Sequence, residues 1–146
     1  MPAPDAASAP AEASPLQELP LIRSASGDDL LQIKSFVLGS QEVSPLAMAE
    51  AYAMFAARGT HCESIAITSI TKPNGEEVKV PPANCAKVLD SGTADGVNQV
   101  LQGTIDGPDP GRTGARMTLG RPAGGKTGTT DNASDIWFAG YTPQRA

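Results

Sequence analysis

The chain has 146 residues and a formal net charge of −5, a length that allows one domain at most. With an acidic balance and no basic patch interleaved with aromatics, nucleic acid is not expected as a partner. No apolar stretch approaches the roughly 20 residues of a membrane span, and no basic start followed by an apolar run marks a signal peptide.

Of the first fifteen residues, twelve are Pro, Ala or Ser. Such a segment cannot bury enough apolar surface to offset its ordering entropy. Residues 1–31 therefore read as a disordered Pro/Ala/Ser-rich segment, and residues 32–146 as the folded part, beginning at Gln32.

The first clear element is "VSPLAMAEAYAMFAARG", Val43 to Gly59. Ser44 is a helix N-cap and Pro45 suits the first helical position. Gly59 can close the last turn in the left-handed conformation, with Arg58 favourably placed on the helix dipole. Met48, Ala51, Tyr52 and Phe55 form one bulky stripe, and Leu46, Ala49, Ala53 and Ala56 a second face of smaller residues. Glu50 and Arg58 are its only charges, so the helix is expected to be mostly buried, with packing as its role.

"SIAITSITKPNGEEVKVPP" follows. Ile65 and Ile67 alternate with small or polar residues, Pro73-Asn74-Gly75 supplies a turn, and Val78 and Val80 alternate again, which predicts a hairpin. Cys62 and Cys85 are the only cysteines, with 22 residues between them, and His61 is the only histidine. That set and spacing do not make a zinc site, so no metal is expected and His61 reads as a loop residue. Two free thiols and a disulfide both satisfy the count. Because the cysteines flank the open ends of one hairpin, a bridge is geometrically feasible, and it would imply an oxidising, extracytoplasmic compartment.

Asp90 or Ser91 then caps a second helix running to about Ile105, with Ala94, Val97, Val100, Leu101 and Thr104 as its expected inner face. "DGPDPGRTG" is a loop, and "DIWFAGYTP" near the end reads as a strand, with Trp137 in the core.

Between them lies "GRPAGGKTGTT", residues 120–130, which supports two chemistries. From Gly120 it is G-x-x-x-x-G-K-T, a phosphate loop, which needs a buried strand before it and a helix starting at Lys126. "TGTTDNASD" is a poor helix start and "ARMTL" a poor central strand, so nucleotide binding is the remote reading. From Lys126 it is K-T-G-T, which needs an extended strand, a turn and an antiparallel partner. "DNAS" and "DIWFAGYTP" supply both. On that strand Lys126 and Gly128 point one way, Thr127 and Thr129 the other.

"LGSQEVSPLAMAEAYAMFAARG", the Cys-flanked hairpin, "ADGVNQVLQ" and "GRPAGGKTGTTDNASDIWFAGYTPQ" together make residues 32–146 resemble the C-terminal part of the transpeptidase domain of class A (bifunctional) penicillin-binding proteins, actinobacterial ones especially. The pairing of K-T-G-T-T with W-F-A-G-Y-T-P is the most specific piece. The resemblance implies an α+β, penicillin-binding protein/β-lactamase-like fold, an antiparallel sheet flanked by helices. It implies a serine D,D-transpeptidase that needs no cofactor, acts in the cell envelope, and recognises D-Ala-D-Ala stem peptides and the β-lactams that mimic them. Carried over by residue, Lys126 supplies positive charge near the substrate carboxylate and the reacting hydroxyls, Thr127 and Thr129 bind that carboxylate, the Thr129 N–H forms half of an oxyanion hole, and Gly128 gives clearance.

Two family motifs have no counterpart. The one S-x-x-K, Ser69 to Lys72, falls at a strand end before Pro73 rather than on a helix, and no S-x-N occurs. The chain is therefore expected to be catalytically incomplete by itself, with a non-catalytic peptidoglycan- or partner-binding module as the alternative.

Overall fold

The computed structural model describes Arg23, Ser24 and residues 26–146, so most of the segment expected to be disordered lies outside the described residues. Arg23 and Ser24 bridge to Asp29 and Val43. The Gln41 carboxamide clasps the Leu31 N–H and C=O at 2.7 and 2.6 Å. Contacts with the folded part therefore extend upstream of Gln32.

Helix α1 spans Pro45–Ala56 and opens as expected, with Ser44 Oγ accepting the Ala47 N–H at 3.2 Å. It closes with paired bonds from Gly59 N–H to the Met54 carbonyl, 2.8 Å, and from Arg58 N–H to the Phe55 carbonyl, 3.0 Å. Gly59 is left-handed, at φ 93°, but so is Arg58, at φ 54°, an uncommon state for a residue with a side chain. Its guanidinium forms two bonds, 2.9 and 2.6 Å, to the carboxylate of Asp95. Arg58 thus grips a second helix rather than the end of its own.

An arm leaves the body after Gly59. Strand β1 (Thr60–Cys62) pairs antiparallel with β4 (Cys85–Lys87), and at the tip β2 (Ile70–Thr71) pairs with β3 (Glu77–Val78) around the Lys72–Glu76 turn. The expected hairpin is present, but its ladder breaks. Ile65 and Ile67 lie outside any strand and are exposed. Opposite them runs a segment containing Pro81 and Pro82, which have no N–H to donate to a ladder. At the base, Cys62 and Cys85 face each other directly and are joined by a disulfide.

Helix α2 spans Ser91–Asp106, capped by Asp90, whose Oδ1 accepts the Thr93 N–H at 2.8 Å. Ala94 and Ile105 are fully buried, and Val97, Leu101 and Thr104 half-buried. Val100 is not on this face. It is 71% exposed, because six positions after Ala94 it falls about two-thirds of a turn away. Beyond the helix, Arg112 Nε donates to the Ile105 carbonyl at 2.7 Å, satisfying a group the helix end leaves open.

Strands β5 (Gly124–Thr129) and β6 (Ile136–Tyr141) complete the fold as an antiparallel pair. Helix α1 packs on β6, α2 on β5, and the helices on each other. The architecture is α+β, antiparallel strands flanked by helices. One polar residue joins three elements: Asn98 Nδ2 donates to the Phe55 carbonyl at 2.9 Å, and its Oδ1 accepts from the Tyr141 hydroxyl. The Tyr141 and Tyr52 rings sit 6.0 Å apart.

Two burial expectations fail. Only Ala51 of α1 is fully buried, and Trp137 is 41% exposed. A cavity of about 220 Å³ remains between Met48 and Tyr52 of α1 and Trp137 and Phe138 of β6.

Asn98→Ala should lower stability by about 1–3 kcal/mol in urea denaturation, by leaving the buried Tyr141 hydroxyl without its acceptor; an unchanged midpoint would remove Asn98 from the account. Acid dependence follows from two carboxyls. Hydrogen bonds from Arg58 hold Asp95 below the usual Asp range, and those from Thr93 do the same for Asp90. Because the folded pKa values are depressed, the contribution is complete above the unfolded value of about 3.9 and fades as pH falls through the lower folded values. Asp90→Asn with Asp95→Asn should flatten the fall of the melting temperature below about pH 4, as followed by circular dichroism.

Candidate functional site

Strand β5 carries the four residues singled out by the sequence, and its geometry follows from its register. Lys126 lies opposite Ala139, Thr127 opposite Phe138, Gly128 opposite Trp137 and Thr129 opposite Ile136. Directly opposed residues share a face of the pair. Lys126 and Gly128 therefore lie on the face of Ala139 and Trp137, and Thr127 and Thr129 on the other.

The turn between the strands decides which backbone groups are free. Thr130 N–H bonds the Asp135 carbonyl at 3.1 Å, and Asp135 N–H bonds Thr130 Oγ1 at 2.9 Å. Asn132 and Ala133 in between are left-handed. Along an antiparallel strand, successive residues turn their N–H and C=O to opposite edges. Counting back from Thr130, residues 128 and 126 face β6, whereas the N–H and C=O of Thr127 and Thr129 face the open edge. The Gly125 carbonyl obeys the same alternation, since it accepts from the Thr104 hydroxyl of α2 rather than from β6. Among the described residues no strand pairs with that edge.

Lys126 is exposed, and its ammonium donates to the Thr127 carbonyl at 2.9 Å. Among the described residues it forms no ion pair, so its charge is uncommitted. Thr127 is half-buried and Thr129 exposed. The next threonine, Thr130, is consumed by the turn. The glycines divide sharply. A Cβ on Gly125 would lie 2.7 Å from the Phe138 ring and 2.9 Å from the Ala139 carbonyl, and one on Gly124 2.8 Å from the Tyr141 ring. At Gly128 the nearest atom would be Trp137 Cβ at 3.6 Å, an ordinary contact. Packing within the described chain thus requires Gly124 and Gly125, but not Gly128.

The structure withdraws the phosphate-loop reading. No helix springs from Lys126, and the amides after it alternate between two edges instead of converging on an anion. Ser69 and Lys72 sit exposed on the arm, with Lys72 bound to Glu76 at 2.8 Å. His61 is on β1 rather than in a loop, its Nε2 3.9 Å from Glu50 Oε2. Sequence reasoning placed Thr104 on the inner face of α2 but passed over Asn98, and it did not foresee that Asn98, Thr104 and Tyr141 tie β5 and β6 to the helices. The available signal for Asn98 was a carboxamide inside the apolar stripe from Ala94 to Leu101.

Similarity to known proteins agrees with this geometry. Residues 20–146 match the penicillin binding protein transpeptidase domain family. Penicillin-binding protein 1A of Aquifex aeolicus is 34% identical over 116 residues, covering 80% of this chain and 16% of that protein. The Clostridium botulinum protein of the same name is 33% identical over 118 residues, with 79% and 14% covered. Penicillin-binding protein 1F of Bacillus subtilis is 33% identical over 122 residues, with 75% and 16% covered. The chain thus spans about a sixth of the length of these relatives, and within that span it belongs to the penicillin-binding protein transpeptidase domain family.

Proposed function

We propose that the chain supplies the substrate-gripping strand of a serine D,D-transpeptidase that cross-links peptidoglycan stem peptides in the cell envelope. One observation carries this reading: the Thr129 N–H faces the open edge of β5, beside the uncommitted ammonium of Lys126. An edge amide at that position can donate to the oxygen on which charge develops when a peptide carbonyl is attacked, as half of an oxyanion hole. The Lys126 ammonium and the Thr127 and Thr129 hydroxyls suit the terminal carboxylate of a D-Ala-D-Ala peptide, or the carboxylate of a β-lactam. Gly128 leaves room for the ligand backbone. An extracytoplasmic location is supported by the Cys62–Cys85 bridge, since disulfides persist in oxidising compartments. The finer assignment, to the class A type of actinobacteria, rests on the motifs quoted above.

A second reading has its own observation. Ser69 and Lys72 lie on the arm, and Lys72 is engaged by Glu76, so the one S-x-x-K pair does not accompany Lys126. By itself, the chain then acts as a binding half-site. Constellations of this kind work as a unit, and half of one does not acylate.

A fluorescent penicillin should leave no covalent label on this polypeptide; labelling at any residue would overturn the incomplete-site reading. Titration with a diacetyl-Lys-D-Ala-D-Ala peptide should shift the amide resonances of residues 127–129, and Lys126→Ala should weaken binding by about tenfold or more, the loss of one charged hydrogen bond. Equal binding by the variant would sink the proposed grip. Gly128→Ala should keep stability within about 0.5 kcal/mol while impairing that titration. Gly125→Ala, which overpacks against Phe138, should cost about 1–3 kcal/mol in urea denaturation.

A further inference from the structure

From the way the arm is attached, we infer that Cys62–Cys85 is a reducible clamp on which the order of the arm base depends, while the body carrying β5 stands without it. The arm, residues 63–84, keeps its polar bonds largely to itself: Thr71 to Glu77, Lys72 and Asn74 to Glu76, and Asn84 to Glu63. Apart from the disulfide, one hydrogen bond ties it to the body among the described residues, from Ser64 N–H to Glu50 Oε1 of α1 at 3.1 Å. The body has separate ties. Asn98 joins α1 to β6, Thr104 joins α2 to β5, and Arg58 joins the end of α1 to Asp95. Below the bridge, Val88 and Leu89 N–H still bond the Gly59 carbonyl at 2.9 and 3.2 Å, so fraying from the bridge has a place to stop.

Both cysteines are exposed, as attack requires. The thiolate of a dithiol reductant attacks one sulfur, forming a mixed disulfide and releasing the other cysteine as a thiol. The reductant's second thiolate then displaces the remaining cysteine, leaving two protein thiols and a cyclic disulfide of the reductant. The open arm has recovered the chain entropy that the bridge withheld, and with a ladder broken at Pro81-Pro82 it has little local structure to oppose opening.

The test is residue-resolved hydrogen exchange of the full chain with and without dithiothreitol, with the thiol state checked by alkylation. The Glu63 and Ser64 amides should exchange about tenfold faster or more after reduction, with α2 and β5 unchanged. Cys62→Ser/Cys85→Ser should show the fast pattern under both conditions. Unchanged exchange at Glu63 and Ser64 in the fully reduced chain, protection lost equally in α2 and β5, or a bridge that dithiothreitol leaves intact would each overturn the proposal.

Discussion

The position of Lys126 relative to the helices depends on one carboxamide. Asn98 donates to the last turn of α1 at Phe55 and accepts from Tyr141 of β6. The Tyr141 ring in turn lies over Gly124, two residues before Lys126. An apolar side chain at position 98 could fill the space, but it could not dictate how α1, α2 and β6 are oriented. A satisfied buried polar group can, because the alternative arrangements leave it unpaired. Thr104 repeats the device further along α2, where its hydroxyl takes the Gly125 carbonyl. Two polar residues on the packed face of α2 therefore set the register between helix and strand, and the surrounding small residues let them reach.

Stability is distributed unevenly. The buried residues Ala51, Ala94, Ile105, Ala123 and Tyr141 gather where α1, α2 and the β5–β6 pair meet. The arm contributes none of them and presents Ile65, Ile67 and Ile70 to solvent. A covalent bond at its base replaces the apolar contacts it lacks, and such a bond acts chiefly by restricting the unfolded chain rather than by adding native contacts. The body and the arm thus rely on different physics, packing with polar ties in one and cross-linking in the other.

The chemistry available at β5 is that of a strand edge. Alternate amides turn outward at fixed spacing, one ammonium stands beside them, and the threonine hydroxyls follow the strand's two-residue period. These groups can hold an extended, anionic ligand in register and meet charge as it forms. They cannot form or break a covalent bond, which requires a nucleophile and a base placed against the same carbonyl. The transpeptidase-domain match and a strand edge whose groups bind rather than react are therefore compatible.

Much of this was legible in the residues themselves. Ser44-Pro45, Gly59 and Asp90 marked helix ends because capping bonds span three or four residues and leave a local signature. The strand at Lys126 was legible because Thr-rich β-branched residues, a turn and an apolar partner follow one another directly. Other features turned on residues distant in sequence. Arg58 reaches Asp95 across 37 positions, and Val100 gave its expected place to Ile105 once the phase of α2 against β5 was set. Trp137 and α1 are open because burial depends on what stands opposite, which periodicity does not encode. The sequence by itself determined the elements, their ends and the extended state of the Lys126 strand, since these rest on short-range sterics and hydrogen bonds. Only the tertiary structure decided which edge of that strand is free, which glycine is spared from packing and how loosely the arm is attached, because each is a relation between surfaces that the chain brings together only on folding.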